Sequence, residues 1–266
     1  MAVAAARRAA LREALDQVFA NIAGTLAGKD PEYLHQMRVG TRRLRAALRV
    51  FRGTMRRKDE RALLRTLRRI AGASGPARDW DVNASRLPLP LRPEAARRRR
   101  AAHAQLRRVI GAVHFWTLPR GLAGTRPALD AFAREVLESL DRKATRRGQG
   151  IDWKRAAQRH ALRLRLRRLR YACEFLSGAF SRRNSEALVH SLKQLQDLLG
   201  ALNDMEVSRR LMREMRGRRA RREPDARERK LVSLLPAAWR RFTSAPRFWR
   251  ENGVRAELFL ARKSRP

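Results

Sequence analysis

Apolar residues recur three and four positions apart along most of the chain, the period of a helix with one buried face. Leu11, Leu15, Val18 and Ile22 mark a first helix, and Met37, Leu44, Leu48 and Phe51 a second. Asp30 stands where an N-cap belongs, with Pro31 at the first helical position of the second. Leu63, Leu64, Leu67 and Ile70 predict a third helix over 59–73, closed by Gly75-Pro76. A proline-bearing linker over 85–93 precedes a basic helix over 94–113. Pro119 to Pro127 reads as the boundary between halves at 1–124 and 125–266. The second half predicts helices over 129–145, 185–199 and 204–216, and another over 225–242. Asp152 is expected to cap the helix that carries His160, and Gly200 to end the helix over 185–199. A terminal helix over 248–261 is expected to pack Trp249 and Phe259 inward. No alternating strand pattern occurs, so the expected fold class is all-α.

The second predicted helix contains YLHQMRVGTRRLRAALRVF, which returns as HALRLRLRRLRYACEFL. His35, Arg38, Arg42, Arg43, Leu44 and Arg45 fall on His160, Arg163, Arg167, Arg168, Leu169 and Arg170 at one constant step (35 + 125 = 160). The step continues without a gap: Leu67, Arg68, Ile70, Gly75, Asp79 and Val82 meet Leu192, Lys193, Leu195, Gly200, Asp204 and Val207. An echo of this length is expected to reflect an internal duplication. Asp79 and Asp204, each just after a glycine, are expected to be helix caps rather than catalytic groups.

At about 100° per residue, Arg38, Arg42, Arg45, Arg49 and Arg52 form a stripe beside the apolar face, with His35 at its edge. The second copy repeats it as His160, Arg163, Arg167 and Arg170. There Glu174 replaces Arg49, so the stripe is shorter. Arg43 and Arg168 fall at about 80° and rank below the stripe. A charged helix face ordinarily interleaves acids for i,i+4 pairing. This stripe has almost none, and like charges at that spacing cost about 0.2–0.5 kcal/mol per pair. An anion on that face would offset the repulsion.

Composition sharpens the point. Sixty-three Lys and Arg against 25 Asp and Glu leave a formal charge of +38, which directs the search to polyanions. Arginine greatly outnumbers lysine, and its planar fork suits bidentate phosphate contacts. Cys173 is the only cysteine, excluding a disulfide framework, and its alignment with Leu48 makes it a small core residue. Charges interrupt every candidate membrane span, and a cytoplasmic location is expected. Aromatics make up 6% and none interleaves the stripe, unlike a single-strand nucleic-acid platform.

No P-loop, no H-E-x-x-H and no carboxylate grouping with metal-ligand spacing occurs, so no catalytic, metal or cofactor site is expected. His35 and His160 sit in positive surroundings that disfavour a cation and suit a phosphate. Three readings follow. The first is a non-catalytic binder of a phosphate polymer. The second is a basic nucleic-acid binder, and the third a phosphate-processing enzyme.

H-x-x-R-x-x-x-R-R-L-R, present twice and each time followed by L-[RK]-x-[IL]-x-x-x-x-G-x-x-x-D, resembles the CHAD domain, the conserved histidine α-helical domain. The resemblance covers essentially the whole chain. It implies two four-helix bundles about a pseudo-two-fold axis, with a basic cavity between them that binds inorganic polyphosphate. It also implies association with intracellular polyphosphate granules. The E-x-E-x-K signature of the triphosphate tunnel domain found fused in many members is absent, so no hydrolase activity is carried over. By residue match the cavity would be lined by His35, Arg38, Arg42, Arg45, His160, Arg163, Arg167 and Arg170, with Arg68 and Lys193 from the third helix of each half. The helical wheel adds Arg49 and Arg65. Non-specific attraction of nucleic acid is expected from charge alone.

Overall fold

A computed structural model describes residues 2–113, 128–180, 182–216 and 225–250 of the 266. These form eight α-helices: α1 (Val3–Ala27), α2 (Pro31–Val50), α3 (Arg57–Asn83), α4 (Arg92–Gly111), α5 (Leu129–Gly148), α6 (Ala156–Leu176), α7 (Arg182–Arg216) and α8 (Ala226–Ser244). No strand occurs among the described residues. No helix there is long and apolar enough to cross a membrane.

Local chemistry sets several ends. Asp30 accepts a hydrogen bond from the Glu32 N–H at 2.7 Å and Pro31 opens α2, as the sequence predicts. Asp225 caps α8 in the same way, accepting from the Glu228 N–H at 2.8 Å. Gly28 ends α1 in the left-handed conformation, φ 68°, and returns its N–H to the Gly24 carbonyl.

Each helix packs chiefly on its chain neighbour: α1 on α2, α3 on α4, α5 on α6 and α7 on α8. The two motif helices, α2 and α6, meet in the middle, and α3 touches α7. One continuous core runs through both halves, with Leu34, Met37, Leu44, Leu48, Leu162, Leu166 and Leu169 all buried. Gly40 lets α1 close on α2. A Cβ there would lie 2.9 Å from Val18 Cγ2 and 3.0 Å from the Ala14 carbonyl oxygen. Cys173 is buried, and burial pushes its thiol pKa well up.

Three expected boundaries are corrected. Gly75-Pro76 does not end α3, which continues to Asn83. A proline inside a helix costs about 3 kcal/mol. Here Ala77 and Trp80 beyond it are buried in line with Leu67 and Ile70, and that packing holds the helix together. Gly200 likewise lies inside α7, flanked by the buried Leu199 and Leu202. Asp79 and Asp204 are therefore mid-helix residues and cap nothing. Asp152 accepts from the Lys154 N–H in the turn before α6, whose N-cap is Arg155. Of the expected terminal helix only 248–250 are described, as a turn in which Trp249 is buried; the rest of it, Phe259 included, lies outside the described residues.

Candidate functional site

Ions buried in pairs show what this chain does with most of its interior charge. Arg159 meets Glu228 at 3.2 Å with both side chains under 10% exposed, and Arg209 joins them. Arg247 grips Asp141 through Nε and Nη2 at 3.1 and 3.0 Å. Asp81 receives Arg99 at 2.6 Å and His103 at 2.9 Å.

The stripe is built differently. A cleft of about 340 Å3 opens between α2, α3 and α6. Six arginines line it: Arg38, Arg42, Arg45 and Arg49 from α2, and Arg167 and Arg168 from α6, with Thr41, Ser74 and Tyr171 between them. No carboxylate among the described residues lies within ion-pairing distance, 4.0 Å, of any of the six. Arg38 alone among them has a side-chain partner, the Ser74 hydroxyl at 3.0 Å. Arg42 and Arg45 each have a buried Nε with no hydrogen-bond partner.

A second cleft of about 420 Å3 adjoins the first and shares Arg42, Arg167 and Tyr171 with it. Its remaining walls are Arg163 and Arg170 of α6, and Gln196, Asp197, Gly200, Ala201 and Asp204 of α7. The two clefts make one groove across the α2–α6 pair. Gly75 lies on the α3 side, where a Cβ would stand 3.7 Å from Arg38 Nη1. Asp79 pairs with Arg210 at 2.9 Å and so joins α3 to α7.

Crowding registers in the acidities. Burial, and then neighbouring Arg42, lower the Arg38 pKa to about 10, against the opposing carboxylate of Asp79. Burial, then Arg163 and Arg42, bring Arg167 to about 10 as well. Arg45, Arg49 and Arg168 are lowered by burial first and by one another or Arg68 next. Arg163 is lowered by burial and by Arg42, with Asp204 working the other way. These guanidinium groups remain charged at neutral pH, but each raises the cost of charging its neighbours.

The sequence-predicted residues separate into three groups. Arg38, Arg42, Arg45, Arg49, Arg163, Arg167 and Arg170 line the groove. His35 is half-buried within the field of Arg78, Arg42 and Arg38, and Arg68 acts on Arg45 and Arg49 from the α3 side while lining a separate surface groove. His160, Arg65 and Lys193 are exposed and line neither cleft, His160 being bound to Asn203 at 3.0 Å. Arg168, ranked low by its wheel angle, lines the first cleft. Along the α2–α6 seam Arg49 faces Arg168 and Arg43 meets Glu174, so position advances on α2 as it falls on α6. That pairing turns the Arg168 flank towards Arg45 and Arg49. Its match to Arg43 at the 125-residue step gives no signal, since Arg43 lines neither cleft and pairs with Glu13 and Glu174. Tyr171 and Ser74 carried none.

Among the described residues no group of three or more His, Cys, Asp and Glu is placed to hold a metal ion. What the first cleft offers is an array of forked donors without counter-charge, the chemistry of an anion site with several charges in a row.

A family model described as the CHAD domain matches residues 9–213. Among solved structures the chain is similar to the CHAD domain from the plant Ricinus communis, at 26% identity over 92% of this chain and 94% of that one, with a TM-score of 0.66. It is also similar in fold to PptA from Streptomyces chartreusis, at 16% identity over 91% of this chain and 98% of that one, with a TM-score of 0.62. No curated protein matches.

Proposed function

The chain belongs to the CHAD domain family, a family related to polyphosphate binding, and we propose that it binds inorganic polyphosphate along the groove between α2 and α6. The observation that carries the proposal is the set of six arginines in one cleft with no acid to pair them. Polyphosphate has about one charge per phosphate and three-dimensional freedom at every anhydride, so successive forks can each take a phosphate while counterions are released. The reaction is binding without bond cleavage, and the cellular expectation is a protein of the cytoplasm held on polyphosphate granules.

Nucleic acid is the competing polyanion, because a net charge of +38 attracts any of them. The groove gives a base little to stack on: Tyr171 is 4% exposed, with the Arg170 guanidinium 4.8 Å from its ring centroid and Phe175 stacked 6.0 Å away. Competition at about 150 mM salt, where exposed charges are largely screened, tests the reading. Labelled long-chain polyphosphate should stay bound against a large excess of DNA, RNA or ATP. Displacement phosphate for phosphate would reduce the protein to a general cation.

His35 adds a pH dependence. Burial, and then Arg78, hold its pKa below the ordinary histidine value in the free protein, so it is neutral near pH 7. Phosphates in the groove favour the imidazolium, so binding takes up a proton. Affinity should rise as pH falls through the bound-state pKa and level off below the free-state one, by about tenfold for each unit between them. His35→Ala should flatten the curve in titrations from pH 5 to 8. In the unliganded protein the sign reverses: a histidine depressed by folding costs stability as pH drops below its unfolded value.

A further inference from the structure

Position 174 is position 49 of the sequence repeat (49 + 125 = 174), and it carries Glu in place of Arg. The structure shows what that exchange does. The Glu174 carboxylate lies between Arg43, 3.3 Å from its Nη1, and Arg170, which donates to its other oxygen, while Arg43 Nη2 reaches the exposed Glu13 at 2.7 Å. Arg170 is further tied by Nε to Gln196 at 3.0 Å. By the same step Arg43 and Arg170 match Arg168 and Arg45 (43 + 125 = 168, 45 + 125 = 170). Arg168 and Arg45 surround Arg49 at the far end of the groove, where all three guanidinium groups lack a carboxylate and the Arg45 Nε is buried without a partner.

We infer that Glu174 is a counter-anion built into the chain, filling one of two like anion subsites and leaving the other, between Arg45, Arg49 and Arg168, for a phosphate of the ligand. The inference rests on the proposed polyphosphate site and gives that site a direction. A carboxylate resting between two arginines marks where an oxyanion sits in such a cluster, because carboxylate and phosphate oxygens take the same forked donors. A phosphate chain therefore gains most in the first cleft and meets acids in the second, where Asp197 and Asp204 line the wall and Glu174 holds Arg170. Arg170, in the predicted lining, is held back from ligand by Glu174.

Tripolyphosphate, with only three phosphates, is the probe. In calorimetric titrations at about 150 mM salt, the wild-type chain should take about one tripolyphosphate and Glu174→Gln about two, with roughly tenfold tighter overall binding. Arg49→Glu places at the open end the residue already tolerated at the other. It should weaken the single site about tenfold or more. Thermal melts establish that each variant is folded, and if Glu174→Gln is not, Arg49→Glu decides alone. An unchanged stoichiometry in a folded Glu174→Gln, or undiminished binding by Arg49→Glu, overturns the inference while leaving the groove as a polyphosphate site. If Arg42→Glu with Arg167→Glu also binds as the wild type does, the proposed function falls instead.

Discussion

Reversing Arg38, Arg42, Arg163 and Arg167 to Glu should abolish long-chain polyphosphate binding, weakening it by at least about ten-thousandfold. Hydrogen bonds to charged groups each contribute roughly 1.5–3 kcal/mol. Four of them amount to about 6 kcal/mol or more, and every 1.4 kcal/mol is tenfold in affinity. The effect should exceed that figure because the new carboxylates repel the ligand and sit near Asp79 and Asp204, which already act on Arg38 and Arg163. The four-fold Gln variant separates loss of charge from disturbance of fold: it removes the mutual repulsion, should melt no lower than the wild type, and should still lose most of the affinity. Duplex DNA should lose far less, since the 63 basic residues are spread over the whole chain. Fluorescence anisotropy with both ligands reads the contrast. Equal polyphosphate affinity in the wild type and the four-fold Glu variant would place the site elsewhere.

The largest stability effect is expected far from the groove. Asp141 is 3% exposed and takes both Nε and Nη2 of Arg247. Arg247 in turn donates Nη1 to the carbonyls of Phe242 and Ala245 at 2.8 and 2.6 Å, fastening the turn after α8 to α5. Arg250 reaches the same carboxylate at 3.3 Å. Asp141→Ala removes the acid and leaves a buried guanidinium without its partner, a change that costs about 3–5 kcal/mol. For a chain of this size the melting temperature should fall by roughly 10 °C. Asp141→Asn keeps the shape and one acceptor, so it should cost less. A melt of Asp141→Ala within a degree of wild type would show that solvent reaches this pair far more than its burial implies.

How much of this the amino-acid sequence carries by itself turns on particular residues. The stripe Arg38–Arg42–Arg45–Arg49 is legible there, because helical period and absence of interleaved acid are both properties of the string. So is the Asp30-Pro31 start of α2, because a cap acts within a few residues. Gly75-Pro76 misled, since local punctuation says nothing of the buried Ala77 and Trp80 that carry α3 past it. The same glycine punctuation makes Asp79 and Asp204 look like caps, though both lie inside helices. Arg168 and Tyr171 were invisible as lining because what faces them is set by the crossing of α2 and α6, more than a hundred residues apart in the chain. His160 matched His35 letter for letter, yet lies exposed against Asn203 while His35 is half-buried. A repeat conveys which helix a residue rides on, and the packing of the other helices decides what it meets.

The way the helices pair also orders their assembly in time. Contacts between chain neighbours form early, since little chain entropy is lost in closing short loops. In this fold those neighbours are α1 with α2 and α5 with α6, whereas the arginines of α2 and α6 converge only when the two halves dock. Bringing like charges together while water leaves from between them sets an electrostatic barrier to that docking. A polyanion present during refolding would lower that barrier and should speed the slowest phase. The ligand then acts on the rate at which its own binding site comes into being.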